Sequence, residues 1–289
     1  MDKFTEELKK KAHASGADLV GIAPIDRFKG VLKEHHPAAI FPEVKSVIVI
    51  GKRIARGAVR GVEEGTQFET FGMYGYQWLE NRFLAMATFK TAEFLEDNKW
   101  EAVPLLNLPV QIPAMGIPVR EGFPAPNVLV DFEAAAVRAG LGEIGYLGLF
   151  LSPEFGPLQR FQIVLTDAPL DATPVLEKEI CDCAKKMKRF CPLGAVSDKE
   201  TIIEICGKKM LTANIDYKKC AECKNGAIPN RYHPAGNADR LGALCSRNYI
   251  DYLEKNNRLT KKFVNPFRKR KPWQVVSNIA ILEEGSEIE

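Results

Sequence analysis

The sequence predicts an α+β fold, and two observations carry the prediction. Short β-branched runs are interspersed with segments of helical spacing, and these elements lack the regular period of a doubly wound βαβ sheet. The chain has 289 residues, of which 46% are hydrophobic and 27% charged, so it is long enough and apolar enough to bury a core. We expect an α+β core at 1–175, a small cysteine-rich region at 176–250 and a basic tail at 251–289.

Four strands and three helices are predicted before residue 170. Apolar or β-branched runs bounded by turn residues predict the strands Asp18–Ala23, Val44–Ile50, Glu101–Leu106 and Phe161–Thr166. Amphipathic spacing or strong helix formers predict the helices Phe4–Ala14, Trp78–Asn98 and Asp131–Arg138. Arg56–Gly75, with five glycines, is predicted to be a surface loop. The proline-rich segment Asn107–Asn127 is placed near a ligand pocket, because long irregular segments in compact domains are often functional.

Hydropathy and charge limit the class of protein. Apolar runs such as Val47–Gly51 are far too short to cross a bilayer, and the N-terminus has no apolar signal core, so we expect a cytoplasmic protein without membrane contact. The net charge is +3, yet Lys255–Lys271 carries eight basic residues and no acidic one. We favour a solvated surface segment over a nucleic-acid contact for this basic run.

The most informative stretch is Ala136–Leu170, which is rich in glycine and proline. Residues 140–145 match G-x-G-x-x-G, but a dinucleotide site needs a strand before the glycines and a helix after them. Here a helix-forming run precedes them, and later glycines and prolines interrupt any helix, so a dinucleotide site is not favoured. Such glycines could instead let backbone approach a flat ligand, with a tight connection lacking any ligand as the alternative. The residues predicted to face a cofactor are Gly140, Leu141, Gly142, Gly145, Pro153, Gly156 and Pro157.

Seven cysteines in a chain without a secretion signal indicate metal chemistry more than a disulfide framework. The ferredoxin pattern C-x2-C-x2-C-x3-C-P, anchored on Cys191-Pro192, keeps cysteine at two of four positions, 181 and 191. Cys183 lies one place out of register. Cys220-x-x-Cys223 forms a second pair, but Asn265-Pro266 stands where a later Cys-Pro is expected. One cluster is therefore more consistent with the sequence than two.

Six thiols are candidate metal ligands: Cys181, Cys183, Cys191, Cys220, Cys223 and Cys245. The preferred quartet is Cys181, Cys191, Cys220 and Cys223, with Cys183 and Cys245 as substitutes. Four thiolates hold either an iron–sulfur cluster or zinc, so ligand type leaves both open, with no metal as a third alternative. Cys206 lies in an apolar run and is predicted to be a buried hydrophobic residue.

Three segments resemble, in the same order, the epoxyqueuosine reductases and corrinoid reductive dehalogenases: Ala139–Gly145, Leu151–Pro157 and Val164–Leu170. Ferredoxin-type cysteines ending in Cys191-Pro192 follow them, as in that family. The resemblance implies a nitroreductase-like core, a mixed sheet flanked by helices, that holds base-off cobalamin and precedes a ferredoxin-like region. It favours a single [4Fe–4S] cluster over zinc. Flavin is an alternative cofactor, because related nitroreductase folds hold it.

The function implied by the resemblance is a cobalamin-dependent iron–sulfur reductase that acts on a small organic molecule. An electron donor such as ferredoxin or flavodoxin would supply electrons to this reductase. The alternative is a non-catalytic corrinoid-binding or carrier module with a structural metal site. Many epoxyqueuosine reductases carry a helical-repeat extension for tRNA, which is missing here, so a nucleic-acid partner is not expected. A homodimer stays open, because the nitroreductase-like architecture often dimerises.

The proton donor is less defined. The aspartate that serves epoxyqueuosine reductases has no counterpart here, because the family spacing leads to Pro126 and Asn127. Asp131 and Tyr146 are therefore the candidate catalytic residues, since a carboxyl or a phenol can donate a proton. Glu133 is interpreted as a charge on a helix surface.

Overall fold

The structure is a computed structural model that describes residues 2–182, 184–276 and 280–281. Its strands in chain order are β1 (Leu19–Pro24), β2 (Ser46–Arg53), β3 (Ala102–Leu105), β4 (Glu143–Ile144), β5 (Phe150–Leu151), β6 (Gln159–Thr166), β7 (Val196–Ile205), β8 (Lys208–Ile215), β9 (Gln274–Val275) and β10 (Ala280–Ile281). Its α-helices are α1 (Lys3–Ala14), α2 (Arg60–Glu63), α3 (Ala85–Asp97), α4 (Phe132–Arg138), α5 (Ala184–Met187), α6 (Tyr217–Glu222) and α7 (Leu244–Lys255). Two stretches of π-helix, Phe71–Gln77 and Leu79–Leu84, lead into α3.

A four-stranded antiparallel sheet in the order β1-β2-β6-β3 lies at the centre. Its members are the four strands predicted from the sequence. Along β2, Val47 and Val49 pack into the core on one face, while Ile48 and Ile50 pack into the core on the other, and all four are fully buried. A strand buried on both faces requires a continuous apolar run, which is the pattern that predicted it.

Helices cover both faces of this sheet. The α1 and α3 helices pack on one face, where Leu8 and Leu95 join the core, and α4 packs on the other through Ala135 and Ala136. This layering confirms the predicted α+β class. The three strand pairs of the central sheet are all antiparallel, where a mixed sheet was expected.

The segment Arg56–Gly75 is not the surface loop that its glycines predicted. It contains the short α2 helix and the start of the π-helical stretch, and Val59, Val62 and Phe71 are buried in a core shared with α7. Glycine content alone was misleading, because the apolar residues between the glycines supply the packing. The three predicted segments contribute to this one core, and their boundaries at 175 and 250 stay a prediction.

The cysteine-rich region is built on an antiparallel β7–β8 hairpin, followed by α6 and α7. The apolar run before Cys206 is the end of β7, as its pattern indicated. Cys206 itself lies at the hairpin turn with φ of 52° and is exposed, which corrects the prediction of a buried thiol. The turn places its side chain outside the core that the strand enters.

A buried ion-pair network joins this region to α2. Glu63 accepts from Arg247 Nη1 and from Arg268 Nε, each at 2.6 Å, and the Arg247 side chain is fully buried. Arg268 belongs to the basic run 255–271, so part of that run is packed against the protein instead of being free in solvent.

Removing Glu63 is expected to cost more stability than removing its neighbour Glu64. Glu63→Ala leaves the fully buried Arg247 guanidinium without its counter-charge and removes one ion pair of the half-buried Arg268, for an expected loss of about 3–5 kcal/mol. Glu64→Ala removes ion pairs to Arg60 and Arg270, whose side chains are 32% and 60% exposed, and should cost about 1 kcal/mol or less. Urea unfolding of both variants measures the difference, and equal losses would contradict the network.

None of the helices within the described residues is long and apolar enough to cross a membrane.

Candidate cysteine site and adjoining pocket

Four cysteines from separate elements line one small cavity of about 30 Å³, here called the cysteine cavity. Cys191 follows a 3-10 turn, Cys220 lies on α6, Cys223 follows α6, and Cys245 is the second residue of α7. All four are free thiols. The fold therefore gathers four sulfur donors that are up to 54 positions apart in the sequence.

The remaining lining of the cysteine cavity is mostly apolar, with Phe190, Leu193 and Leu244 among its members. Burial raises the pKa of the Cys220 thiol to about 11, and the nearby guanidinium of Arg240 opposes that rise. Burial raises the pKa of Cys245 as well. Without a bound cation these thiols are held neutral, so the site favours a positively charged metal group that would convert them to thiolates.

The structure changes the preferred quartet of cysteines. Cys181 lies apart from the cysteine cavity, beside a larger cavity of about 740 Å³ that we call the Lys208 cavity. There its N–H donates to Glu143 Oε1 at 3.2 Å, and Glu143 pairs with Lys208 at 3.0 Å. Cys245, which the sequence suggested only as a substitute, lines the cysteine cavity in place of Cys181. Cys183, the other substitute, lies outside the described residues.

No cluster of three or more His, Cys, Asp or Glu side chains within the described residues has the arrangement of a site for one metal ion.

A pocket of about 450 Å³ adjoins the cysteine cavity, and we call it the Arg160 pocket. Arg240 lines both spaces. Its Nη2 donates to the Gly148 carbonyl at 3.3 Å, and its guanidinium lies 5.2 Å from the centre of the Tyr217 ring. The buried guanidinium of Arg240 therefore borders both the cysteine cavity and the larger pocket.

Arg160, which gives this pocket its name, is a buried charged group in the pocket wall. Its Nη1 lies 2.7 Å from Asp239 Oδ2 and 3.2 Å from Glu80 Oε1, and its guanidinium sits 4.3 Å from the Tyr76 ring centre. The side chain is 7% exposed, yet Nη2 is buried with no hydrogen-bond partner among the described residues. An unpaired buried donor is costly, so this atom indicates a ligand oxygen or other acceptor in the pocket.

Glu133 also faces the Arg160 pocket, on the first turn of α4. Burial, with the nearby negative charge of Asp131, raises the pKa of its carboxyl to about 7. A carboxylic acid with such a pKa still holds its proton near neutral pH and can donate it. Glu133 is therefore half-buried at a pocket instead of fully solvated on the helix surface, and a role as proton donor stays a prediction.

The two predicted catalytic residues lie in different places. Asp131 borders the Arg160 pocket, but it is exposed and caps α4, since its Oδ1 accepts from Ala134 N at 2.9 Å. Tyr146 borders the Lys208 cavity and donates to Glu200 Oε1 at 2.9 Å. Burial and the Glu200 carboxylate raise the pKa of the Tyr146 phenol to about 12. The structure does not bring Asp131 and Tyr146 to one site.

The predicted cofactor-facing residues mostly contact the protein itself. A Cβ at Gly140 would lie 2.0 Å from the Pro174 carbonyl oxygen, and one at Gly142 would lie 1.9 Å from that of Leu151. Further contacts with protein atoms are made by Gly145 with Tyr249, Gly156 with Leu253, Leu141 in the core, Pro153 with Thr260, and Pro157 with Gln159. These glycines permit close backbone packing, and the expectation that they face a cofactor stays a prediction.

Gly142→Ala is expected to destabilise the protein by about 1–3 kcal/mol or more, because the added methyl overlaps a backbone oxygen that cannot move freely. Gly57→Ala is a matched control, since a Cβ at Gly57 has no heavy atom within 4 Å. Thermal or urea unfolding measures both variants. A tolerated Gly142→Ala change would contradict the packing role.

The glycine-rich stretch nevertheless reaches the Arg160 pocket, through Ile144, Gly148 and Leu149. The first residues of the proline-rich segment, 107–111, line the same pocket. The start of the segment therefore borders a pocket of ligand size, and its placement beside a cofactor stays a prediction.

Comparison with known proteins shows which proteins this chain is similar to. No family model matches the chain. A tetrachloroethene reductive dehalogenase from Sulfurospirillum multivorans is 33% identical over 106 residues, which cover 34% of this chain and 21% of that protein. Over about a third of its length, the chain is similar to this reductive dehalogenase. This similarity confirms the resemblance predicted from the three glycine-rich and apolar segments.

Solved structures of reductive dehalogenases share the fold. One, reported to suggest a mechanism for B12-dependent dehalogenation, is 18% identical, with a TM-score of 0.54, and the match covers 84% of this chain and 32% of that one. An epoxyqueuosine reductase from Bacillus subtilis gives a TM-score of 0.46 at 17% identity, covering 67% of this chain and 52% of that one. The match therefore covers about a fifth of the length of the Sulfurospirillum multivorans protein and about a third of the length of the solved reductive dehalogenase.

Proposed function

We propose that this chain is a cobalamin-dependent iron–sulfur reductase with one [4Fe–4S] cluster. The cluster would be held by Cys191, Cys220, Cys223 and Cys245, and the corrinoid would bind in the Arg160 pocket. The observation that carries the proposal is that Arg240 lines both the cysteine cavity and the Arg160 pocket. An electron leaving the cluster would therefore have a short path into the pocket, past Arg240.

The cysteine cavity fits an iron–sulfur cluster in its donor set. Four thiols is the usual complement of such a cluster, and an apolar lining limits solvent contact. The buried guanidinium of Arg240 compensates the negative charge that four thiolates bring. Asn265, at the position where a further Cys-Pro was expected, lies instead beside Arg56, to which its carbonyl oxygen is hydrogen-bonded.

The Arg160 pocket fits a corrinoid in its chemistry. Apolar side chains such as Leu149 and Ile203 offer a surface for a flat macrocycle, and amide side chains at its rim could pair with the amides of a corrin. The rim amides are Asn107, Gln111, Asn230 and Asn237. The unpaired Arg160 Nη2 adds one donor for an acceptor atom. A bound corrinoid supplies low-valent cobalt chemistry for reductive bond cleavage.

The residues of the pocket supply positioning and a proton. Arg160 would bind an oxygen of the ligand or substrate through Nη2, and it is held rigid by Glu80 and Asp239. Glu133 would donate a proton to the leaving fragment of a small organic substrate, because its carboxyl retains the proton near neutral pH. A low-potential donor such as ferredoxin or flavodoxin would supply the electrons.

Cobalamin retention tests the cofactor assignment. Purified protein would be equilibrated anaerobically with hydroxocobalamin, dialysed, and analysed for cobalt. We expect retention near one cobalt per chain, and Asn237→Trp should weaken it by filling the Arg160 pocket. Lys209→Trp, which narrows the Lys208 cavity, is the matched control and should retain cobalt. Loss only in the Lys209 variant, or no retention at all, would contradict the assignment.

Turnover separates the reductase from a carrier. With reduced methyl viologen as donor and a panel of organohalides and epoxides, the cobalt-loaded reductase should oxidise viologen only when a substrate is present. Retained cobalamin without turnover on any compound would favour a non-catalytic corrinoid-binding module.

A further inference from the structure

The C-terminal part of the chain reaches the cysteine cavity through one side chain, Asn225. Asn225 is fully buried and lines that cavity. Its amide pairs with the backbone of Val275 on β9: Val275 N donates to Oδ1 at 2.6 Å, and Nδ2 donates to the Val275 carbonyl at 2.8 Å. This pair of hydrogen bonds defines which end of the Asn225 amide carries the hydrogens, because the Val275 backbone offers one donor and one acceptor.

The same amide nitrogen approaches a predicted cluster ligand. Asn225 Nδ2 lies 3.7 Å from Cys223 Sγ, within reach of an N–H···S hydrogen bond. The backbone oxygen of Asn225 accepts from Leu244 N at 2.9 Å and from Arg247 Nη2 at 3.2 Å. Leu244 precedes Cys245, so Asn225 connects the loop of Cys223 with the helix start that presents Cys245.

The segment that holds Val275 is anchored independently of Asn225. Trp273 Nε1 donates to the Val62 carbonyl at 2.8 Å, and Arg247 lies 5.0 Å from the centre of the Trp273 ring. The Trp273 ring also packs edge-on against Phe68. Val275 is therefore presented to Asn225 from a fixed position.

We propose that strand β9 is a positioning element for the iron–sulfur cluster, which holds the Asn225 amide so that Nδ2 donates to Cys223 Sγ. This inference rests on the proposed cluster and adds a residue outside the cysteine cavity, Val275, which acts on the cluster's potential through Asn225. Hydrogen bonds to cluster sulfurs stabilise the more negative reduced state and raise the reduction potential. Outer-shell partners of this kind also slow loss of the metal group.

A pair of variants at Val275 tests this role without altering the cavity lining. Val275→Pro removes the N–H that holds Asn225 Oδ1, whereas Val275→Ala keeps it and serves as the matched control. We expect the proline variant to show a more negative midpoint potential in an EPR-monitored redox titration. Its iron should also be lost to a chelator about fivefold faster, as for the loss of one neutral hydrogen bond. The alanine variant should behave like the unmodified protein.

Asn225→Asp provides a second test if the proline variant does not fold. It keeps the shape and the Oδ1 acceptor but removes both N–H donors, and it adds a negative charge, so it too should lower the potential. Iron is quantified first in each protein. Absence of iron in the unmodified chain would overturn the proposed function, whereas bound iron with equal potentials in the Pro, Ala and Asp variants would overturn the role of β9 alone.

Discussion

Replacing Cys245 with serine is expected to abolish cluster binding, while replacing Cys181 with serine leaves it intact. Cys245 lines the cysteine cavity with three other thiols, whereas Cys181 lies beside the Lys208 cavity. A cluster with three thiolates and a poorer oxygen donor is labile, so iron should fall from about four per chain to well below one. Iron and sulfide analysis with the absorbance near roughly 400 nm measures the change.

Cys206→Ser is the control for this experiment, because Cys206 is an exposed free thiol at the β7–β8 turn. It should keep its full iron content. The reverse pattern, with iron lost in the Cys181 variant and kept in the Cys245 variant, would restore the quartet expected from the sequence. Zinc in place of iron in anaerobically purified protein would contradict the redox assignment.

Glu133→Gln is expected to reduce turnover by about 100-fold, because a positioned proton donor contributes factors of this order. The unmodified enzyme should lose activity as the pH rises through about 7, where the Glu133 carboxyl gives up its proton. Asp131→Asn is the comparison variant: asparagine keeps the helix cap and Glu133 stays in place, so turnover should persist, but the loss of activity should move to lower pH because a negative charge that raises the pKa of Glu133 is removed. A pH profile that is unchanged in the Glu133 variant would contradict the role.

The raised pKa of Glu133 also has a stability consequence that needs no substrate. Folding favours the protonated carboxyl, so the unmodified protein should lose stability as the pH rises from about 4.5 to about 7. Glu133→Gln removes that loss. Relative to the unmodified protein, the variant should gain at most about 2 kcal/mol between pH 4.5 and pH 8, after allowance for partial exposure. Urea unfolding at both pH values measures it, and a constant difference would contradict a buried acid.

The central sheet could be predicted because its signals are local. Val47 to Ile50 is a short, uninterrupted apolar run, and a strand buries all four side chains when both of its faces pack into the core. Helix α4 was likewise indicated by its strong helix formers and by Asp131, whose side chain caps it. The family resemblance came from contiguous segments of the same region.

The site could be predicted only where its residues lie in short motifs. Cys220 and Cys223 form a C-x-x-C pair, whereas Cys245 lies 22 positions further on with no motif around it, and only the three-dimensional fold brings it to the cavity. Arg160 and Glu133 gave no sequence signal either. Their properties depend on burial and on partners that are distant in the chain, such as Glu80 and Asp239.

The measurement that tests the central claim most directly is the EPR spectrum of cobalamin-loaded protein, poised so that cluster and cobalt are both paramagnetic. Because Arg240 lines both the cysteine cavity and the Arg160 pocket, we expect magnetic interaction that broadens or splits both signals. Two signals that add as if each centre were isolated would show that the corrinoid binds elsewhere, and would contradict the account.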